Sequence, residues 1–280
     1  MATGGPHKYE HDVDLRRQSA SAHVVHLVGQ NKRVLDVGCG PGSITRVLVE
    51  QGGCRVTAVE RDADAIAQVR PYCESVVQAD LNSEDWPRRL DGTERFDVIV
   101  AADVLEHLYD PWQTLRRMTT LLAPQGYLVI SLPHAGHAAV ASCVLDSDFD
   151  YQDVGLLDRT HIRFFGLRNM ETLFAQAGLK IVEARYVLRH PQDTEFEARW
   201  EKLPYSIRKT LTRRAHAYVY QVVSRLVRVT DPGEPVALAA PPPPRTPLTL
   251  RSLKARLGER LSPELKERIR NGLRALGIRI

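Results

Sequence analysis

The stretch Arg33-Val34-Leu35-Asp36-Val37-Gly38-Cys39-Gly40-Pro41-Gly42 reads as a buried strand running directly into a glycine-rich turn. Val34, Leu35 and Val37 supply the apolar, β-branched-rich run of a strand covered on both faces of a parallel sheet. Three glycines in the next five residues let the backbone approach a ligand closely. The helix predicted to begin near Ser43 would point its free N–H groups at that ligand. A second strand pattern, Arg55-Val56-Thr57-Ala58-Val59, closes on an acid, Glu60. Turn and acid together predict a nucleotide-cofactor site in an α/β fold.

Spacing narrows the cofactor. The pattern Gly38-x-Gly40-x-Gly42 is one residue shorter than the dinucleotide fingerprint G-x-G-x-x-G, and Asp36 stands two residues before the first glycine. The segment V-L-D-V-G-C-G-P-G resembles motif I of the class I S-adenosylmethionine (SAM)-dependent methyltransferases. The resemblance implies that Gly38, Cys39, Gly40 and Gly42 cradle the methionine and ribose part of SAM, while Asp36 orients the loop and the amino group. It implies that Glu60, with Arg61 beside it, receives the ribose hydroxyls, a task suited to an acceptor-only carboxylate. Asp80 and Leu81, closing Val76-Val77-Gln78-Ala79, fall where the family holds the adenine, and Asp103 joins the cofactor set at the end of Phe96–Ala102. The implied fold is a doubly wound, Rossmann-like seven-stranded sheet of order 3-2-1-4-5-7-6, its last strand antiparallel.

The remaining pattern agrees. Gly126–Leu132 reads as a fifth strand, and helical periodicity covers Ser43–Gln51, Asp62–Arg70 and Pro111–Leu122. Asn169 is placed as the cap of a helix through Ala177 that Gly178 stops, followed by a strand over Leu179–Leu188. A helix ending near Arg214 and a strand over Ala217–Val229 complete the domain. The predicted organisation is an N-terminal helical cap (1–30), the methyltransferase domain (31–229), a Pro-rich linker (230–249) and a basic helical tail (250–280). The connection 133–166 inside the domain is too long for a plain αβ loop and is assigned as a lid.

The chain has 280 residues, 43% of them hydrophobic, enough for one substantial core plus appendages. Its four cysteines form no C-x-x-C pair and follow no secretory signal, so free thiols in a cytoplasmic protein are expected. No apolar run approaches the ~20 residues of a membrane-spanning helix. Residues 245–280 carry ten Lys and Arg against three Glu, a net of +7, which leaves residues 1–244 at −3 within the whole-chain +4. Leu250, Leu253, Leu257 and Leu261 recur at helical spacing. Ser262-Pro263-Glu264 then opens a second helix carrying Leu265, Ile269, Leu273 and Leu276. Two such basic amphipathic helices suit a protein partner or peripheral attachment to an anionic membrane; folding back or disorder is the other reading. The tail has no aromatic residue to stack a base, which argues against nucleic acid.

Asp103, Glu106 and His107 stand at i, i+3 and i+4 and would share one face of a helical turn. This D-x-x-E-H resembles the E-x-x-E-H of magnesium-dependent O-methyltransferases of ubiquinone biosynthesis and of small-RNA 3′ ends, in which a later histidine completes the metal site. By that resemblance Asp103, Glu106, His107 and His161 would hold Mg2+, with His134 the second choice for the last ligand, although Asp at the first position has a shorter arm. In the other reading His107 or His161, with Glu106, is a general base or a structural residue. An aliphatic hydroxyl needs a base or a Lewis-acid metal, whereas an amine needs neither, so the histidines point to an oxygen acceptor.

The cap (Asp12, Asp14, Leu15, Ser21-Ala22-His23), Val69–Glu74, Asp103–Leu108, Asp110–Trp112 and Gly155–Phe165 further resemble a bacterial group of methyltransferases associated with glycan and polysaccharide biosynthesis. The acceptor this implies is a hydroxyl of a sugar, glycan or glycosylated metabolite. Rival readings are a small phenolic or lipid-like acceptor, a nitrogen centre, and a non-catalytic SAM-binding scaffold recruited through the basic tail. In the lid, Asp158, Arg159 and His161 are expected to face the methyl group, or Asp158 and Arg159 to form an internal ion pair. Phe149, Tyr151, Phe164 and Phe165 would line a pocket or anchor the lid. His23 would reach the acceptor or cap a helix.

Overall fold

The computed structural model describes residues 8–239, 241–243 and 267–268. In chain order the helices are α1 (Ala20–Val28), α2 (Ser43–Glu50), α3 (Ala63–Val69), α4 (Pro111–Leu121), α5 (Ala138–Leu145), α6 (Leu167–Gln176), α7 (Glu197–Lys202) and α8 (Tyr205–Thr212). The strands are β1 (Arg33–Val37), β2 (Arg55–Glu60), β3 (Ser75–Gln78), β4 (Phe96–Ala102), β5 (Leu122–Pro133), β6 (Leu179–Leu188) and β7 (Val219–Arg228). They form one sheet of order β3-β2-β1-β4-β5-β7-β6. β1 to β5 run parallel, and β7 lies antiparallel between β5 and β6. This is the doubly wound topology expected.

The central strands are apolar on both faces because helices cover both. Along β4, Val98 and Val100 face a core shared with α1 and α2, while Ile99 and Ala101 face the core under α4 and α6. Acidic caps start α3 and α4. Asp62 accepts the Asp64 and Ala65 N–H groups at 2.8 and 3.0 Å, and Asp110 accepts that of Gln113 at 2.8 Å before Pro111.

Three expectations are corrected. Asn169 does not cap α6 from outside; it lies in the first turn, and its side chain accepts the Gly166 N–H at 3.0 Å. The N-terminal cap is one helix, α1, preceded over residues 8–19 by a strap without regular structure. The Pro-rich segment does not leave the domain at 230. The Val236 N–H bonds to the Ile181 carbonyl at 2.8 Å, the Leu238 N–H to the Glu171 carboxylate at 2.7 Å, and Leu238 is buried in the main core. Most of the linker beyond it, and the basic tail apart from Glu267 and Arg268, lie outside the described residues. Among the described residues no helix is long and apolar enough to cross a membrane.

Candidate active site

The turn after β1 is pinned from several sides. The Gly38 N–H bonds to the Val59 carbonyl at 2.7 Å and the Gly42 N–H to that of Cys39 at 3.2 Å. At Gly42 (φ 88°) a Cβ would stand 2.5 Å from Val69 Cγ2, whereas at Gly40 (φ 55°) it would meet nothing within 4 Å. The turn is therefore packed tight behind and bare at its tip. Glu60, at the end of β2, accepts the Gly40 N–H at 2.9 Å on one oxygen and the Arg61 and Asp62 N–H groups at 2.6 and 2.9 Å on the other. Asp36 is buried behind the turn and accepts the Thr45 hydroxyl at 2.6 Å, tying β1 to α2; burial lifts its pKa to about 6, against that bond. The Cys39 thiol, also raised by burial, points to the Gly40 carbonyl. Arg61 lies 3.7 Å from Asp80, whose other oxygen accepts the Asn82 N–H. Leu81 is a buried core residue near Gly38.

After β4 the chain reverses at Asp103 (φ 56°) and makes a short 3-10 turn, Leu105–His107. Glu106 is fully buried there, and neither of its oxygens has a hydrogen-bond partner. Burial, reinforced by Asp103, pushes its pKa well above the carboxylate range. The Glu106 carbonyl accepts the N–H groups of Ile162 and Arg163, both at 3.0 Å, which draws the lid onto this turn. His161 Nε2 thereby comes 4.0 Å from Glu106 Oε1, and the His107 and His161 rings meet edge-on at 4.7 Å. His107 Nδ1 contacts the Thr160 carbonyl at 3.1 Å, and His161 Nδ1 the Leu156 carbonyl at 3.3 Å. A carbonyl only accepts, so each Nδ1 carries its proton and each Nε2 is bare. One ligand atom from each of Glu106, His107 and His161 lies within 4.8 Å of the others.

Asp103 does not share that face. Its positive φ turns the carboxylate away, toward the Ser131 hydroxyl at 2.6 Å and the Gln221 amide. Burial raises its pKa, those two bonds opposing. His134 is also outside the group, its Nδ1 bonded to the Val219 carbonyl at 3.0 Å. The Asp158–Arg159 pair does not form: Arg159 pairs with Asp153, and Asp158 takes Lys8 at 3.0 Å and the Tyr9 hydroxyl at 3.3 Å. Phe165 anchors the lid in the core, while Phe164, Phe149 and Tyr151 are exposed, the last two stacked at 6.2 Å. His23 does not cap α1, which Ser19 does. It is buried in mid-helix with no hydrogen bond from its ring, and lines a cavity of about 380 Å³ with Arg17, Gln18, His26, Arg185 and Tyr186. Lys8, Tyr9, Ser131 and Gln221 carry no motif that marks them in the sequence. Thr160 alone has a signal, its place between Asp158 and His161.

Comparison with known proteins fits this geometry. Residues 10–184 match the family described as a methyltransferase domain. The chain belongs to that family. The ubiquinone biosynthesis O-methyltransferase of Coxiella burnetii (strain Dugway 5J108-111) is 24% identical over 170 residues, 60% of this chain and 72% of that protein. The protein of the same name from Xanthomonas campestris pv. campestris (strain B100) is 33% identical over 149 residues, 52% of this chain and 60% of its own. Among solved structures, a SAM-dependent methyltransferase from Archaeoglobus fulgidus has a TM-score of 0.51 at 15% identity, covering 75% of this chain and 94% of that one. Magnesium protoporphyrin IX methyltransferase from Synechocystis PCC 6803, solved with S-adenosylhomocysteine, scores 0.50 at 14% identity, covering 76% and 84%.

This methyltransferase uses SAM as its cofactor, and its residues suit that molecule. The ammonium, ribose hydroxyls and adenine amine of SAM are donors, and three carboxylates stand at the carboxyl ends of strands, Glu60 closing β2, Asp80 just after β3 and Asp103 just after β4, where ligands of open α/β sheets bind. The open tip at Gly40 leaves the backbone free for close contact.

Proposed function

We propose that this enzyme is an O-methyltransferase in which Glu106, His107 and His161 activate the acceptor hydroxyl. The observation that carries the reading is a fully buried carboxylate without a hydrogen bond, facing two imidazoles whose Nε2 atoms are bare. Burying such a carboxyl group without a hydrogen bond costs a folded protein roughly 1–3 kcal/mol, a cost that a partner arriving with the reaction would offset. SAM supplies an already activated methyl group. The protein's work is then to align the hydroxyl and remove its proton, which the bare Nε2 of His107 can accept; burial depresses His161 to about pKa 4 and leaves it the weaker base.

The same three groups fit a divalent cation. Glu106, His107 and His161 would hold it, and it would supply Lewis acidity toward the acceptor oxygen. Two imidazoles and one carboxylate suit a first-row transition ion better than Mg2+, which prefers oxygen ligands. Asp36, Gly38, Cys39, Gly40, Gly42, Glu60, Arg61, Asp80, Leu81 and Asp103 form the cofactor set of this proposal, with Asp36 acting through Thr45 and the loop.

For the acceptor, a sugar hydroxyl rests on the sequence resemblance alone. A phenolic, lipid-like hydroxyl is supported by the names of the ubiquinone-pathway relatives and by the exposed aromatic surface of the lid, Phe149, Tyr151 and Phe164. A cytoplasmic setting, with the basic tail meeting a protein or an anionic membrane, completes the proposal and is supported by four free cysteines and the tail's charge. The test is transfer from methyl-labelled SAM into glycan, phenolic and lipid fractions of host extract, for the intact chain and His107→Ala. Runs with a chelator, and with Mn2+ or Mg2+ restored, complete it. Histidine-dependent label in a hydroxyl-bearing product is expected; turnover unaffected by His107→Ala and His161→Ala together would overturn the reading in favour of a nitrogen acceptor.

A further inference from the structure

The bare Nε2 of His107 depends on what holds its other nitrogen. Nδ1 lies 3.1 Å from both the carbonyl and the hydroxyl oxygen of Thr160. That hydroxyl donates to Asp158 Oδ1 at 2.7 Å, and the Thr160 N–H donates to the same oxygen at 2.9 Å. With its hydrogen committed to Asp158, the Thr160 oxygen can only accept from His107, which again demands the proton on Nδ1. Freed from Asp158, the hydroxyl would rotate and donate to Nδ1, favouring the opposite tautomer, whose Nε2–H can neither take a proton nor bind a cation.

Asp158 is in turn held from a distant part of the chain. Its second oxygen receives Lys8 Nζ at 3.0 Å and the Tyr9 hydroxyl at 3.3 Å, although its side chain is only 3% exposed. The strap carrying Lys8 and Tyr9 then crosses to α2, where the His11 N–H bonds to the Ser43 hydroxyl at 3.0 Å, and reaches α1 through His11 and Ser21 at 2.8 Å. One segment thus touches the lid, the helix behind the cofactor turn and the cap.

We propose that Thr160 and Asp158, clamped by Lys8 and Tyr9, are positioning residues that fix the tautomer and orientation of His107, so that the N-terminal strap must be seated for the acceptor to be activated. This rests on the reading of His107 as the activating group. An internal turn that merely stiffened the lid would account for the Asp158–Thr160 bonds, but not for a lysine and a tyrosine brought from the N-terminus to the same carboxylate.

The test uses the full-length protein, labelled with ¹⁵N-histidine and saturated with S-adenosylhomocysteine. Long-range ¹H–¹⁵N spectra report which ring nitrogen of His107 is protonated. The wild type and Thr160→Ser are expected to show the Nδ1–H form. Asp158→Asn, which releases the Thr160 hydroxyl to donate to Nδ1, is expected to populate the Nε2–H form, and Lys8→Met, which leaves Asp158 without its cation, to do so in part; Thr160→Val, which keeps the carbonyl and has no hydroxyl to donate, stays in the Nδ1–H form. Methyl transfer into the labelled extract fraction should fall about tenfold in Asp158→Asn and about threefold in Lys8→Met at saturating SAM, with SAM affinity unchanged, and stay within about twofold of wild type in Thr160→Ser. An Nδ1–H His107 in every variant, or full turnover in Asp158→Asn and Lys8→Met, would overturn the relay while leaving His107 as the activating group. Wild-type turnover in His107→Ala would instead remove the reading beneath it.

Discussion

Two glycines of the same turn carry opposite predictions. Gly42→Ala forces a Cβ onto Val69 at a left-handed φ, so it should lower unfolding stability by about 2–4 kcal/mol. Gly40→Ala meets no atom of the protein and should cost about 1 kcal/mol, the strain of a left-handed alanine. Its Cβ instead enters the space offered to the cofactor, so SAM affinity by calorimetry should fall at least about tenfold at nearly native melting temperature. Equal loss of affinity and stability in the two variants would show that the tip is not a contact surface. Glu106 yields the inverse pattern. Replacing this buried, unbonded carboxylate by Met should raise unfolding stability by about 1–3 kcal/mol while methyl transfer drops more than about a hundredfold. Destabilisation of Glu106→Met would mean that the carboxylate is bonded in the folded protein after all.

At the level of elements, the segment after β7 is the informative case. Leu238 is buried against the core, anchored by its own N–H on Glu171 and by the Val236 N–H on Ile181, so Leu238→Ala should cost about 2 kcal/mol in urea unfolding with an unchanged slope. A freely extended linker would show no loss. Composition concealed this docking, because Pro232, Gly233 and Pro235 punctuate the stretch and backbone bonds to β6 and α6 leave no periodic trace. The strands β1, β4 and β5 were legible for the opposite reason: a short, continuous apolar run bounded by turn residues is what a strand covered on both faces requires. Glu106 and His107 could be placed from D-x-x-E-H, and His161 from the lid motif. Asp103 was misplaced because helical spacing assumes a continuous turn, and its left-handed backbone breaks that turn one residue too early. Lys8 and Tyr9 had no local signal, since their partner lies 150 residues away.

For the whole molecule, two histidines that anchor the lid set an acid limit. His134 and His137 are buried at the end of β5 and the start of α5, and burial depresses both to about pKa 4 despite bonds to the Val219 and Arg189 carbonyls. Arg214 and His216 near the first, and Arg189 and His190 near the second, act in the same direction. The unfolded chain titrates near 6.5, so it binds more protons than the native state between about pH 6.5 and 4. Stability is therefore fully present above that window and declines as pH falls through it, by about 1–2 kcal/mol per histidine at pH 5. Melting at pH 7.5 and pH 5 should show the fall, and His137→Asn, which keeps an acceptor for the Ala139 N–H, should reduce it. The strap has a practical side as well. Because Lys8 sits on Asp158, two residues from Thr160 and its contact to His107, an affinity tag fused to the N-terminus is tethered to the segment that this ion pair holds. Handles for purification or surface immobilisation belong at the opposite terminus, and an inactive preparation tagged at the front should be cleaved before the enzyme is judged.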